Sequence, residues 1–364
     1  MAVKNTSARQ TKPVAANSTD LSAAQMARRT VLALPLFLIA APAVVAAEER
    51  VAGETYFGRK QYVEYLAGNL PVIVSAPHGG REKPEEIPSR TSGTFAYDRG
   101  TQELARQIAA EFHARTGGWP HVVICRLQRT KLDCNREIGE AAAGNQYAEQ
   151  AWHEYQAFLD EARQAVVRHH GRGLFIDLHG HGHAEQRLEL GYLHTQAELQ
   201  ATDEELDEPR FAAESSLRAI AALARREYSQ LLRGDLSFGA LLEKHGFPST
   251  PSPSTPRPAL PYFRGGYNTR RHGHEAVPLA GLQIETNSKG VRDTLANRER
   301  FAKALYETVS VYLDAHAGVM LRPTQKASAA QAAEANPLAP RSIQSVRRRA
   351  CFFRRRLRCG DEGS

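Results

Sequence analysis

Residues 173–183 read Gly173-Leu174-Phe175-Ile176-Asp177-Leu178-His179-Gly180-His181-Gly182-His183. The run Leu174-Phe175-Ile176 is short, apolar and bounded by glycine, the pattern of a buried strand. It gives way to Asp177 and then to three histidines spaced by glycines. A strand that ends in imidazoles on permissive backbone is a way of building a metal site at a sheet edge. One histidine in such a turn is ordinarily a hydrogen-bonded structural residue. Three of them with an aspartate in seven residues point to ligation, and we take this stretch as the centre of the chain.

Working outward, strands and helices alternate. Residues 70–76 form an apolar strand that runs into Pro77 and His78. Asp98, Arg99, Gly100 and Thr101 open a helix with Leu104, Ile108 and Phe112 at four-residue spacing. Residues 121–127 are a second strand, followed by a loop carrying Asp133, Asn135 and Arg136. Residues 146–170 read as a long amphipathic helix with Trp152, Tyr155, Leu159 and Val166 on one side. Beyond the central strand, 188–194 is a further strand and 211–232 a helix marked by Leu217, Ile220 and Leu231. Six prolines in 248–261 make a surface loop, a lid over a site in one reading. Residues 279–285 are the last strand, and Asp293 caps a closing helix bearing Phe301, Leu305, Val309 and Leu313. The alternation predicts an α/β fold: a single-domain mixed, largely parallel sheet with helices on both faces and polar groups gathered at the carboxyl ends of strands.

The chain has 364 residues and a formal charge of +7. Residues 1–47 hold five Lys and Arg against one acid and 323–364 nine against three, which leaves 33 bases and 36 acids between them. The body is therefore near neutral, and nothing in it favours nucleic acid. Met26 to Thr30 carries Arg28 and Arg29, and 31–47 is uncharged and mostly apolar, ending in small residues. That order is an export signal, with a twin-arginine flavour, and it predicts a periplasmic or secreted protein. Membrane contact would come only through this segment if it were left uncleaved. We thus expect a leader and signal over 1–47, a catalytic domain over 48–322 and an unstructured basic tail over 323–364. Four cysteines are too few for a disulfide scaffold; Cys125 and Cys134 could pair in an oxidising compartment, whereas Cys351 and Cys359 lie in the tail.

Imidazoles supply nitrogen to zinc, and a catalytic zinc takes three protein ligands. His78 and His179 each follow a strand and are the histidine candidates. Asp98, at a helix start, is the preferred carboxylate, with Glu82, Glu85 and Glu86 as rivals; the alternative role for Asp98 is a helix cap. Asp177 shares the side of His179 and could orient it. His181 and His183 are given supporting roles. Glu285 ends the last strand, where a carboxylate could take a proton from water and pass it to a leaving amine. Arg136 is the fork for a substrate carboxylate, with Asn135 beside it; Arg264, Arg270 and Arg271 are weaker candidates around the glycine pair Gly265-Gly266, of which Gly266 is a further substrate-binding candidate. No Gly-x-Ser-x-Gly turn, phosphate loop or paired-Cys zinc spacing competes.

Six motifs in order, Ser75 to Gly80, Asp98 to Ala105, Asn135-Arg136, Asp177 to Gly182, Gly265 to Tyr267 and Gln283 to Thr286, resemble the N-formylglutamate amidohydrolase-like proteins. Those are distant relatives of zinc carboxypeptidases and of poly-γ-glutamate hydrolases. The resemblance implies a phosphorylase/hydrolase-like, zinc-carboxypeptidase-like fold and a zinc-dependent amidohydrolase acting beside a carboxylate. It implies His78, Asp98 and His179 as ligands, Glu285 as the catalytic glutamate and Arg136 as the carboxylate arginine. The His-x-x-Glu pair of the carboxypeptidases is broken here by Arg81, and Asp98 takes its place through its position two residues before Gly100. The expected substrate is an N-acyl-amino-acid or a glutamyl or peptide-like molecule. The competing class is a non-catalytic periplasmic binding protein for an anionic ligand, which has no need to keep Glu285 together with both histidines.

Overall fold

Five consecutive apolar or small residues, Val72–Ala76, and the five of His121–Cys125 are buried throughout, as strands covered on both faces must be. The computed structural model describes residues 49–276 and 278–321. The expected leader and tail, with Cys351 and Cys359, lie outside the described residues. Eight strands form one sheet: β1 (Thr55–Phe57), β2 (Val63–Leu66), β3 (Val72–Ala76), β4 (His121–Cys125), β5 (Gly173–Gly180), β6 (Leu188–Gly191), β7 (Ser249–Thr250) and β8 (Leu279–Thr286). Their order is β1-β2-β4-β3-β5-β8-β6-β7. The centre, β4-β3-β5-β8, is parallel; β2 and β6 flank it antiparallel. The sheet is mixed and mostly parallel, as the alternation predicts.

The helices are α1 (Thr101–Thr116), α2 (Ile138–Ala142), α3 (Gln146–His170), α4 (Asp203–Leu206), α5 (Pro209–Glu214), α6 (Arg218–Ala221), α7 (Tyr228–Arg233), α8 (Phe238–Lys244) and α9 (Leu295–Ala317). Successive strand residues point to opposite faces, so Val72, Val74, Leu174 and Ile176 pack with α1, α8 and α9. Ile73, Val123 and Phe175 pack on the other face with Trp152, Tyr155 and Leu159 of α3. Asn145 caps α3 by accepting from Tyr147 N and Ala148 N. Cys125 and Cys134 are buried free thiols, so the conditional bridge between them is not made.

Three expectations are corrected. The helix read over 211–232 is broken into α5, α6 and α7, because the backbone at Ser215 and Ser216 is engaged elsewhere. Ser216 N donates to Tyr192 O, Gly281 N donates to Ser216 O, and Ser215 Oγ accepts from Leu217 N. The cap of α9 is Thr294, whose side chain accepts from Asn297 N, while Asp293 takes Gly290 N and Asn297 Nδ2. The proline-rich loop contains the edge strand β7, paired parallel with β6.

His121 gives a stability prediction. Tyr65 Oη and Gly68 N lie 2.9 and 3.1 Å from its Nδ1, and burial lowers its pKa to about 3. Between that value and the ordinary imidazole range the unfolded chain binds a proton that the folded chain does not, so stability falls as pH falls. In His121→Asn, which keeps an acceptor at the Nδ1 position, the loss of stability from about pH 6 to about pH 4 should be smaller than in the wild type in denaturant titrations.

Candidate metal centre

One face of the sheet, apolar near the middle under α3, turns polar where the parallel strands end. Register pairs Ser75 with Asp177, Asp177 with Gln283, and His179 with Glu285; antiparallel β6 then sets Glu189 beside Glu285. Because strand residues alternate between faces, all six share the face opposite Leu178 and Ile284. This polar row borders a cavity of about 540 Å³ whose wall includes His78, Asp98, His179 and Glu285.

Three ligand atoms meet at one end of it. His78 Nδ1 and His179 Nδ1 are 3.1 Å apart. Asp98 Oδ2 lies 3.2 Å from His179 Nδ1 and 3.5 Å from His78 Nδ1. All three side chains are buried, and the group is one that could hold a metal ion. The rival carboxylates are elsewhere: Glu82 pairs with Arg126 and Glu86 with Arg59 and Lys60, while Glu85 is exposed. Nor is Asp98 the cap of α1. Gly100 occupies that position, and Asp98 accepts Gly180 N through the same oxygen that faces the imidazoles.

The far nitrogen of each imidazole meets a carboxylate. His78 Nε2 is 2.6 Å from Asp133 Oδ1, and His179 Nε2 is 3.0 Å from Asp177 Oδ2. These partners hold a ring proton on Nε2 in both residues, so Nδ1 is the nitrogen that each can give to a metal ion. The amide of Asn135, 3.3 Å from His179 Nε2, is the longer contact, and the nearer Asp177 carboxylate takes the proton. Ser75 Oγ donates to Asp177 at 2.5 Å and Arg129 Nε to Asp133 at 2.9 Å. Two imidazole nitrogens and a carboxylate oxygen thus converge in a buried space, an arrangement that needs a cation, proton or metal ion, to join them.

The distances fit such an ion. Bonds of about 2.0–2.2 Å to nitrogen and oxygen put the ligand atoms of a tetrahedral ion about 3.3–3.6 Å apart. Edges of 3.1, 3.2 and 3.5 Å lie at or just under that range. Burial opposes ionisation of Asp98, but His179 and His78 hold its carboxyl far below the usual range. Burial likewise opposes charge on His179, which Asp177 and Asp98 overcome by raising the imidazole well above its ordinary value.

Glu285 adjoins this focus through its register partner His179. Burial raises its carboxyl to about 8, although the His179 imidazole pulls the other way, and Gln283 Nε2 donates to it at 3.1 Å. The expected substrate-binding residues divide. Asn135, Arg136, Arg264 and Gly266 line the cavity. Arg271 is turned away onto Asp160, and Arg270 is exposed outside the cavity. Asn135 is pinned by Asn268 N, and a Cβ on Gly266 would lie 2.5 Å from the Asn135 amide, so only glycine lets the two segments close. His181 has both ring nitrogens taken, Nε2 by Arg187 O and Nδ1 by His183 N. It is structural, consistent with its supporting role.

No family model matches the sequence, and no curated protein matches it. Among solved structures the chain is similar to N-formylglutamate amidohydrolase from Ralstonia eutropha JMP134, with a TM-score of 0.44 and 13% identity over 71% of this chain and 99% of that one. It is also similar to a gene product of Agrobacterium tumefaciens, with a TM-score of 0.42 and 16% identity over 70% and 95%. What the site does follows from its own atoms.

Three residues of the site have no role in the sequence reading. Asp133 stands two residues before Asn135, and that adjacency is its only signal. Glu189 depends on the antiparallel placing of β6. Arg292, buried, donates to Thr286 O, Arg99 O and His181 O, tying the ends of β5 and β8 to the start of α1.

Proposed function

We propose that the protein is a zinc-dependent amidohydrolase, cleaving an amide bond in an N-acyl-amino-acid or a glutamyl or peptide-like substrate that carries a carboxylate. The observation that carries this is the triangle of His78 Nδ1, His179 Nδ1 and Asp98 Oδ2 with Glu285 beside it. Two imidazole nitrogens and one carboxylate oxygen make a donor set suited to zinc with a coordination position left over. When bound, the ion would supply Lewis-acid polarisation of the carbonyl and of water.

The chain's own residues do the rest. Asp133 and Asp177 hold the rings in one tautomer. Beside a cation the charged form of Glu285 is favoured, so the carboxylate can take a proton from the attacking water and hand it to the leaving nitrogen. Among the described residues, the Arg136 guanidinium bonds to Glu140, itself 46% exposed, and to Asn135 O. So exposed a pair contributes under about 1 kcal/mol, and a substrate carboxylate can displace Glu140. The export signal read at 26–47 supports an extracytoplasmic substrate, cell-wall peptide or a polyglutamyl polymer, over free formylglutamate.

The test is a panel of N-formyl, N-acyl and peptidyl glutamates given to the zinc-loaded chain. Amide hydrolysis that a chelator abolishes and zinc restores is expected. No hydrolysis of any member, or hydrolysis indifferent to the chelator, would overturn the reading.

A further inference from the structure

The cavity extends past Glu285, away from the ligand triangle and from Arg136, to a group that the chemistry above leaves unused. There His183 Nδ1 lies 2.7 Å from Glu189 Oε1, and the imidazole stacks on Phe263 with centroids 4.8 Å apart and planes 14° off parallel. His183 and Phe263 both line the cavity, as does Leu260, which is 72% exposed. The wall is built rather than loose. Glu189 is buried and its Oε2 accepts Phe263 N at 2.9 Å; Tyr262 Oη donates to Leu190 O at 2.6 Å; Leu193 N donates to Arg264 O at 2.7 Å. A Cβ on Gly191 would lie 2.5 Å from the backbone of Arg264 and Gly265, so β6 and this wall are in contact.

His183, His181 and Glu189 lie close enough to suggest a second ion. His181 argues against it, since both its nitrogens are engaged by backbone.

The strand order places Asn135 and Arg136 beyond β4, His78 beyond β3 and His179 on β5 with Asp98 between them and α1, Glu285 on β8, and His183 with Glu189 at β6. The reacting position therefore has protein groups on two sides. Resting on the proposed hydrolase, in which Arg136 takes the carboxylate of the amine half, we infer that the His183, Glu189 and Phe263 wall is the subsite for the acyl half. It selects a peptidyl acyl group over formyl or a simple alkanoyl. Glu189 faces Nδ1 and takes its proton in a hydrogen bond, and in that tautomer Nε2 is the acceptor. The complement is an amide N–H one residue before the scissile bond, with an apolar side chain against Phe263 and Leu260. A cavity of about 540 Å³ has room for such a two-sided ligand. His183 is the contacting residue and Glu189 positions it.

The experiment compares zinc-loaded chains on N-formyl-glutamate, N-acetyl-alanyl-glutamate and the same dipeptide with its alanine nitrogen methylated. Wild type should prefer the acetyl dipeptide over the formyl compound by about tenfold or more in kcat/KM, and lose about tenfold on methylation, as expected for one lost hydrogen bond. His183→Ala should lose about tenfold on the dipeptide, mainly in KM, become indifferent to methylation, and keep its formyl rate and zinc content. Phe263→Ala should lower dipeptide turnover alone. Calorimetric binding of the uncleaved dipeptide to Glu285→Gln, with and without His183→Ala, should repeat the difference in Kd without turnover. A wild type that favours the formyl compound, a methylation effect that survives His183→Ala, or equal loss on all substrates would overturn this subsite while leaving the hydrolase intact. A wild type that cleaves nothing overturns the hydrolase reading, and this one with it.

Discussion

Replacing Glu285 by glutamine should lower kcat/KM by about a thousandfold and leave the bound cation in place. Glu285 is not among the three converging ligand atoms; its register partner His179 is. Glutamine keeps its size and can still meet Gln283, but it cannot take a proton from water. The loss should therefore fall on kcat, with KM within a few-fold of wild type, because the residue acts on the reacting atoms rather than on the substrate's remote groups. Steady-state kinetics on whichever panel member is turned over, with metal analysis of the same preparation, checks it. Loss of the cation together with activity would instead make Glu285 a ligand.

The second large effect is expected from residues that touch no substrate. Asp133→Asn and Asp177→Asn should each weaken cation affinity by about 10- to 100-fold. Asp133 and Asp177 are fully buried, and each faces the outer nitrogen of one ligand imidazole, at 2.6 and 3.0 Å. Asparagine can still accept the Nε2 proton, so the ring stays in place, but the charge that makes Nδ1 a stronger donor is gone. Asp133 carries the further duty of accepting from Arg129 Nε and Asn135 N, so its variant should also lower the melting temperature in chelator. Asp177, supported by Ser75, should separate the two effects more cleanly. Competition with a chelator of known affinity measures both, and unchanged affinity in both variants would remove these carboxylates from the metal centre.

The two histidines, Asp98 and Glu285 were legible because each follows or ends an apolar run whose strand character is plain, or stands at a helix start. The same holds for α1, α3 and α9, whose buried residues step at four. Where the reading failed, distant backbone decided. Ser215 and Ser216 leave the helical path to bond with Tyr192 and Gly281, partners that no local pattern around residue 215 discloses. Asp133 reaches His78 across 55 positions of sequence, through a loop whose course depends on Arg129 and Arg90. Glu189 becomes a neighbour of Glu285 only through the strand order β5-β8-β6. Strand order is a property of packing, and period-two patterning within a strand carries none of it.

The central claim is that His78, Asp98 and His179 hold one divalent cation, and metal analysis of the purified full chain tests it most directly. Wild type should carry about one zinc per chain, His179→Ala should carry none, and Glu285→Gln should match wild type. A wild type that binds no cation after zinc loading, or a His179→Ala chain that keeps its zinc, would contradict the account.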